Sequence, residues 1–289
     1  MRFRHSLYNV LSFSVLLQLS SLRHAFGAEI TINTAQQLIS LSNAVNSGTN
    51  YSGTTVLLGS DIDFTGKTMN PIGTLNDYFL GTFDGMGHVI SNFKMTSSYQ
   101  VVGLFGLSYG LTIKNFVLDT TCSVVGTFVS DNVYVGGIIG ECLAYYRPCD
   151  FESTVNMASV SFGMKINDYS LHLGGIAGSF WAYKSSFFIV KNCANYGHLM
   201  DTGTYTTNHN GGIAGICGGE VTNNYVQNCA NYGTITVSSA TTLSGYKGYL
   251  RTGGIVGECN NVYVANCLSA GKNEVKVQKR LNDRKEMRI

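Results

Sequence analysis

The chain is short of charge, of proline and of tryptophan. Charged residues make up 12% of its 289 positions, about half the roughly 25% usual in globular chains. Two prolines and one tryptophan stand against 34 glycines. With 44% hydrophobic residues and a formal net charge of +2, this scarcity of charge excludes a disordered chain. No Cys-X-X-Cys pair occurs, and no nearby histidine completes a zinc site, so neither a metal nor any other cofactor is expected. Beyond residue 22 no apolar run approaches the ~20 residues of a bilayer span. Residues 28–271 carry 9 basic and 14 acidic groups. That mildly acidic body excludes nucleic acid as a partner, since phosphate neutralisation needs clustered Lys and Arg.

What is plentiful is glycine, and it recurs in one word. Gly136-Gly137-Ile138-Ile139-Gly140, Gly174-Gly175-Ile176-Ala177-Gly178, Gly211-Gly212-Ile213-Ala214-Gly215 and Gly253-Gly254-Ile255-Val256-Gly257 follow a divergent Val102-Gly103-Leu104-Phe105-Gly106. From Gly103 to Gly137, Gly175, Gly212 and Gly254 the steps are 34, 38, 37 and 42 residues. A second word, Asn192-Cys193-Ala194-Asn195-Tyr196-Gly197, returns at Asn228-Cys229-Ala230-Asn231-Tyr232-Gly233 and as Asn266-Cys267. Two unrelated words with one period mean a repeat architecture. Many glycines and 17 tyrosines suit strands better than helices. The expectation is an all-β chain, a parallel β-helix or β-solenoid of about six coils spanning residues 28–271, with repeats from about residue 55.

One unit, residues 211–252, reads as three short strands and a polar loop. Gly103, Gly106, Gly137, Gly140, Gly175, Gly178, Gly212, Gly215, Gly254 and Gly257 are read as structural, letting backbone pass close across a narrow interior. Asn192, Asn228 and Asn266 fall at equivalent corners, where Asn tolerates left-handed backbone and can stack as a ladder. Residues 149–160 lack the Asn-Cys-Ala-Asn word, which marks that coil as degenerate or as carrying a larger loop. Ahead of the repeats, Thr34 and Gln37 form a capping-box signature, and Leu38, Leu41, Ala44 and Val45 share one helical face. A short amphipathic helix over about residues 34–47 is expected to close one end of the stack.

Residues 2–5 are basic, residues 7–22 are uncharged and apolar, and Ala25 and Gly27 place small side chains before a cut ahead of Ala28. That is the layout of a secretory signal peptide over residues 1–27, and it predicts a secreted or cell-surface protein without a membrane span after cleavage. Residues 272–289 lose the glycines and form a basic tail, a short helix or a disordered segment. Asn50-Tyr51-Ser52 is a glycosylation acceptor pattern.

Asn70-Pro71-Ile72-Gly73, then residues 79–92 with Asp84-Gly85-Met86-Gly87, then Gly103-Leu104-Phe105-Gly106 resemble the GLUG-motif repeat proteins over about residues 30–270. The resemblance implies a β-solenoid and a secreted or surface, adhesin-like setting. The motif itself contains no catalytic residue, so none is carried over.

All eight cysteines lie in the exported part. Their even number favours disulfides in an oxidising compartment. Cys142 with Cys149, Cys217 with Cys229 and Cys259 with Cys267 are the expected bridges, Cys122 and Cys193 being free or joined. The rival is a vertical column of buried thiols.

An enzyme would need converging groups. Asp61 and Asp63, with Asp84 nearby, are the candidate carboxylates of a polysaccharide lyase or glycoside hydrolase, yet Asp-Gly and Asp-X-Asp are also ordinary turn chemistry. His88, His172, His198 and His209 have no regular partner, and no nucleophile-elbow word occurs. No catalytic residue is assigned. Aromatic residues between coils, Tyr145, Tyr146, Phe180, Trp181, Tyr183, Tyr205, Tyr246 and Tyr249, suit contacts with a protein or sugar. Of these Tyr183, Tyr205, Tyr246 and Tyr249 are the candidate binding loops. The reading is a non-catalytic recognition or adhesion module with an extracellular protein or glycan ligand. The alternatives are a polysaccharide-active β-helix enzyme, or a purely structural stalk or fragment of a larger repeat protein.

Overall fold

The computed structural model describes residues 27–276, apart from residues 146, 167–168, 206, 239 and 242–248. The leader, Tyr146, Tyr246 and most of the tail lie outside the described residues.

The chain winds as a parallel β-solenoid. One coil runs through Thr112–Lys114, Val117–Leu118, Ser123–Gly126, Val133–Gly136 and Ile139–Ala144. Cys149–Glu152 then opens the next coil directly on the first, Phe151 pairing with Ile113. We call the five larger sheets I to V in the order the chain visits them; a sixth, two-stranded sheet pairs Thr204–Tyr205 with Ala240–Thr241, and every ladder joins a strand to the strand one coil away. Backbone N–H and C=O groups are therefore satisfied by the coils on either side, about 4.8 Å distant. On sheet I the inward column is Val56, Phe83, Ile113, Phe151, Val190 and Val226, all fully buried. Each such side chain contributes about 1.5–3 kcal/mol relative to exposure.

Five strands per coil replace the expected three, and the glycine word explains the difference. Residues 211–217 are not one strand: Thr207–Gly211 belongs to sheet IV and Ala214–Gly219 to sheet V. The chain bends at Gly212 and Ile213 between them. The word is a corner, and successive copies lie on one another. Gly137 N donates to Gly175 O (3.1 Å), Ile138 N to Ile176 O (3.0 Å), Ile176 N to Ile213 O (2.9 Å) and Ile213 N to Ile255 O (2.8 Å). The supposed loop at the end of the unit also contains a strand, Tyr249–Gly253, which pairs with Thr207–Gly211.

The two words keep one period because they touch. A buried ladder joins Asn156, Asn195 and Asn231, each Nδ2 donating to the next Oδ1 at 2.8 Å. A Cβ on Gly175 would stand 2.3 Å from Asn195 Cγ, and one on Gly212 2.3 Å from Asn231 Cγ. Only glycine lets the IV–V corner lie against this ladder. Residues 149–160 are no degenerate coil: Thr154 takes the cysteine place and Asn156 begins the ladder. At the I–II corner Asn115, Ser153, Asn192, Asn228 and Asn266 have φ of 58, 52, 56, 52 and 53°, the left-handed backbone expected of that site. Asn228 Nδ2 also donates to Asn192 Oδ1 at 3.3 Å.

The helix Ala35–Val45 forms as its capping box demands. Thr34 Oγ1 accepts from Gln37 N, and Asn33 N donates to Gln37 Oε1. Leu38, Leu41 and Val45 enter the core, while Ala44 is half-buried and Ala35 and Ser42 are buried instead. Ser42 Oγ and Asn46 Nδ2 fix the helix to the carbonyls of Asn70 and Pro71. Asp84-Gly85 makes a parallel corner, not a hairpin, since Thr82–Asp84 and Val89–Ser91 belong to different sheets.

One of the three expected bridges exists, Cys142–Cys149. Cys217, Cys229, Cys259 and Cys267 are thiols, as are Cys122 and Cys193. The apparent pairs are not equivalent positions. Cys149 lies in sheet I, whereas Cys229 and Cys267 follow the I–II corner and so stand on another wall from Cys217 and Cys259. Cys193, Cys229 and Cys267 form a column instead, each Sγ donating to the carbonyl two residues earlier at 3.2–3.3 Å.

One coil has a polar centre. Asp201 occupies the rung between Phe162 and Val237; its Oδ2 accepts from Asn208 Nδ2 (2.6 Å) and Asn210 Nδ2 (3.0 Å). Burial pushes its carboxyl up from 3.8 to about 7, against the opposing hydrogen bonds. Between these values the folded state keeps a proton that the unfolded chain has lost, so stability is full below about pH 4 and falls as pH rises through 7. Asp201→Asn is expected to match the wild type at pH 4 and exceed it at pH 8 by about 2–4 kcal/mol. Urea unfolding at the two pH values measures this, and an unchanged pH slope would count against the buried carboxylate.

Candidate binding surface

Sheet V alternates inward and outward. Gly140, Cys142 and Ala144 are buried, Glu141 and Leu143 face out, and Tyr145 follows at the turn into sheet I. Register places Trp181 on Leu143 and Cys142 on Ser108, which brings Tyr109 to the same outer corner. Tyr78 and Tyr109 have ring centroids 4.8 Å apart, Tyr145 and Tyr183 5.6 Å, and Trp181 and Tyr183 6.5 Å. Lys184 Nζ lies 4.6 Å from the centroid of Tyr145. Five aromatic side chains from four successive coils thus line one edge of the rod, all partly exposed.

Two clefts open beside them. One, of about 310 Å³, is lined by Tyr78, Leu80, Tyr109, Tyr145 and Arg147. The other, of about 340 Å³, runs over Thr54, Thr55, Thr82 and Thr112 and shares Leu80 and Arg147 with the first. Together they form a groove. The Cys142–Cys149 bridge closes the loop that supplies Tyr145 and Arg147, and Gly110, at φ 113°, leaves room for Arg147 against the backbone below. Replacing both cysteines by serine should lower stability by about 2–3 kcal/mol through loop entropy; an unchanged melting temperature would mean that the loop is held without the bridge.

Beyond the groove, sheet IV carries an outward column: Tyr134, His172, His209 and Arg251 in register. Tyr134 stacks on His172 at 4.8 Å and His172 on His209 at 4.8 Å. Glu258 Oε2 lies 2.6 Å from His209 Nε2 and 2.8 Å from Arg251 Nη1. Burial, then the neighbouring His209, push His172 down to about 3, so the imidazole is neutral at pH 7. Burial also lowers His209, opposed by Glu258. Glu141, on sheet V, is pushed up to about 7 by burial. Its register partners up the sheet are Ser179, Ile216 and Glu258. Three rungs separate the two glutamates by about 14 Å, beyond the ~10 Å that glycosidase chemistry allows.

The expected carboxylates serve turns. Asp61 Oδ1 accepts from Val89 N and contacts His88 Nδ1, Asp63 Oδ1 accepts from Thr65 N and Asn92 Nδ2, and Asp84 meets Met86 N, Asn115 and Lys114. Of the candidate tyrosines, Tyr183 belongs to the edge. Tyr205 does not: it is 1% exposed, packs 6.0 Å from Phe162 and accepts from Gly203 N through its hydroxyl. Phe180 is also buried, in the place of Cys142. Tyr246 lies outside the described residues, and of Tyr249 the backbone alone is described. Tyr78, Tyr109 and the His172–His209 contact were not anticipated. Aligning the chain on its glycine word shows part of the pattern. Tyr134, His172, His209 and Arg251 each stand three places before the second glycine, and Tyr109, Leu143 and Trp181 six places after it.

No family model matches the sequence, and no curated protein is significantly similar to it. Among solved structures, one described as a "putative immunoglobulin A1 protease from Bacteroides ovatus" is similar, with a TM-score of 0.57 and 22% identity. The match covers 84% of this chain and 66% of that one. At this identity the likeness speaks for the β-solenoid fold. Among the described residues no helix is long and apolar enough to cross a membrane.

Proposed function

We propose that the chain is a non-catalytic recognition module of the extracellular space or cell surface, working through the groove at the V–I edge. The observation that carries the reading is the aromatic edge itself: partly exposed rings from four coils beside a cleft, one of them, Tyr145, on a loop closed by a disulfide. Rigid aromatic side chains present contact area at small entropic cost, and a preformed scaffold lowers the cost further. The leader and the resemblance to GLUG-motif repeat proteins agree with an exported, adhesin-like role. A purely structural stalk fits less well, because it gives no reason for a groove.

The second reading is a polysaccharide-active enzyme, and Glu141 favours it. A carboxyl held near 7 beside Tyr109, Tyr134 and Tyr183 has the property of a general acid. The two readings separate in one experiment. Wild type, the triple variant Tyr109→Ala/Tyr145→Ala/Tyr183→Ala and Glu141→Gln are applied to glycan arrays, extracellular proteins and whole cells. The recognition reading expects retention to be lost in the triple variant, kept in Glu141→Gln, and unaccompanied by cleavage. Cleavage abolished by Glu141→Gln would replace it with the enzyme.

A further inference from the structure

Resting on the recognition reading, the groove's chemistry names a ligand class. We propose that it binds an uncharged polysaccharide chain lying along the solenoid axis.

Three features point there. First, Tyr78, Tyr109, Tyr145 and Tyr183 come from successive coils, so the rings repeat along the axis with the rise of the coils, about 4.8 Å. A linear chain of sugar rings presents apolar C–H faces at a regular repeat, and aromatic faces are suited to stack on them. Second, the groove's other wall is a hydroxyl row. Thr55, Thr82 and Thr112 stand in register on sheet I and are partly exposed. Each hydroxyl both donates and accepts, which matches sugar hydroxyls and offers little to an apolar peptide. The next rung of that row is Asp150, a partly exposed acceptor. Third, the lining carries little charge. Arg147 is the one charged side chain among the residues lining the two clefts, and the Asp150 carboxylate is the next rung after Thr112. A cleft with one cation, one neighbouring carboxylate and a hydroxyl and aromatic lining favours a neutral, hydroxyl-rich chain over an anionic or cationic one.

The arrangement also sets a length. A monosaccharide covers one ring, whereas a chain of about four residues reaches the rings of four coils. Affinity therefore grows with chain length and levels off near that size.

Calorimetric titration of the intact, oxidised protein tests this with neutral gluco-, xylo- and manno-oligosaccharides of one to six residues, and with oligogalacturonate as the anionic arm. The expected result is that one neutral series binds, gaining at least tenfold from one to four residues. Tyr109→Ala then loses about tenfold, Thr82→Val a few-fold, and Tyr232→Ala, on another face, nothing. Tighter binding of oligogalacturonate, or equal binding of mono- and tetrasaccharide, overturns the proposal. So does a failure of every neutral series while cell retention still depends on Tyr109, Tyr145 and Tyr183; that result leaves the recognition reading intact. Retention indifferent to those three tyrosines removes both.

Discussion

Gly175→Ala should destabilise the protein by about 3 kcal/mol, the upper end of the usual cost of overpacking. The new methyl would stand 2.3 Å from the carbonyl oxygen of Gly212 in the next coil and 2.3 Å from Asn195 Cγ. Neither can retreat, since the carbonyl belongs to the stacked corner and the amide to the buried ladder. Gly87→Ala is the control. Its φ is 85° and no atom lies within 4 Å of the added carbon, so it carries only the left-handed backbone cost of about 1–2 kcal/mol. Denaturant unfolding of the two variants separates close approach from conformational freedom. Equal losses would mean that the corner takes up the added methyl and is looser than described.

Asn195→Leu should cost still more, about 4 kcal/mol. Asn195 Oδ1 accepts from Asn156 Nδ2 and Gly197 N, and its Nδ2 donates to Asn231 Oδ1 and Gly197 O. All four capacities of the amide are used, and all are buried. Replacing it with an apolar side chain strands Asn231 Oδ1, Gly197 O and one N–H of Asn156, since Asn156 Nδ2 keeps Ala158 O and Gly197 N keeps Asn156 O; each loss is worth about 1–3 kcal/mol, softened by relaxation. Asn192→Gly at the exposed corner keeps a residue suited to φ 56° and should fall within about 0.5 kcal/mol of the wild type. If the two substitutions cost the same, the buried ladder contributes nothing beyond the corner and the link between the two repeated words is lost.

Much of the fold was legible because solenoids write their geometry as period. The glycine word, the Asn-Cys-Ala-Asn word and the capping box at Thr34 and Gln37 each report a local constraint repeated or placed by the coil. What the words do not report is which way the chain turns between them. Residues 211–217 alternate as a strand would, yet the chain bends at Gly212 and Ile213, where a side chain on Gly212 would collide with Asn231, a residue outside the segment. The same limit governs the cysteines: Cys217 and Cys229 are close in sequence, but a corner lies between them. The candidate surface was half legible. Tyr183 and Trp181 stand in a segment that reads as a loop, whereas Tyr78 and Tyr109 reach the edge only through the register of coils they do not share. Tyr205 misleads for the opposite reason: it sits among polar residues in sequence and faces inward beside Asp201.

The groove as working surface is tested most directly by radical footprinting of the protein while bound to the cells that retain it. Tyr196 and Tyr232 are 50% and 43% exposed and line neither cleft, so they serve as internal references. The account predicts that Tyr109, Tyr145 and Tyr183 lose reactivity on binding while those two keep theirs. Protection of Tyr196 or Tyr232 with the groove left reactive would place recognition on another face and contradict it.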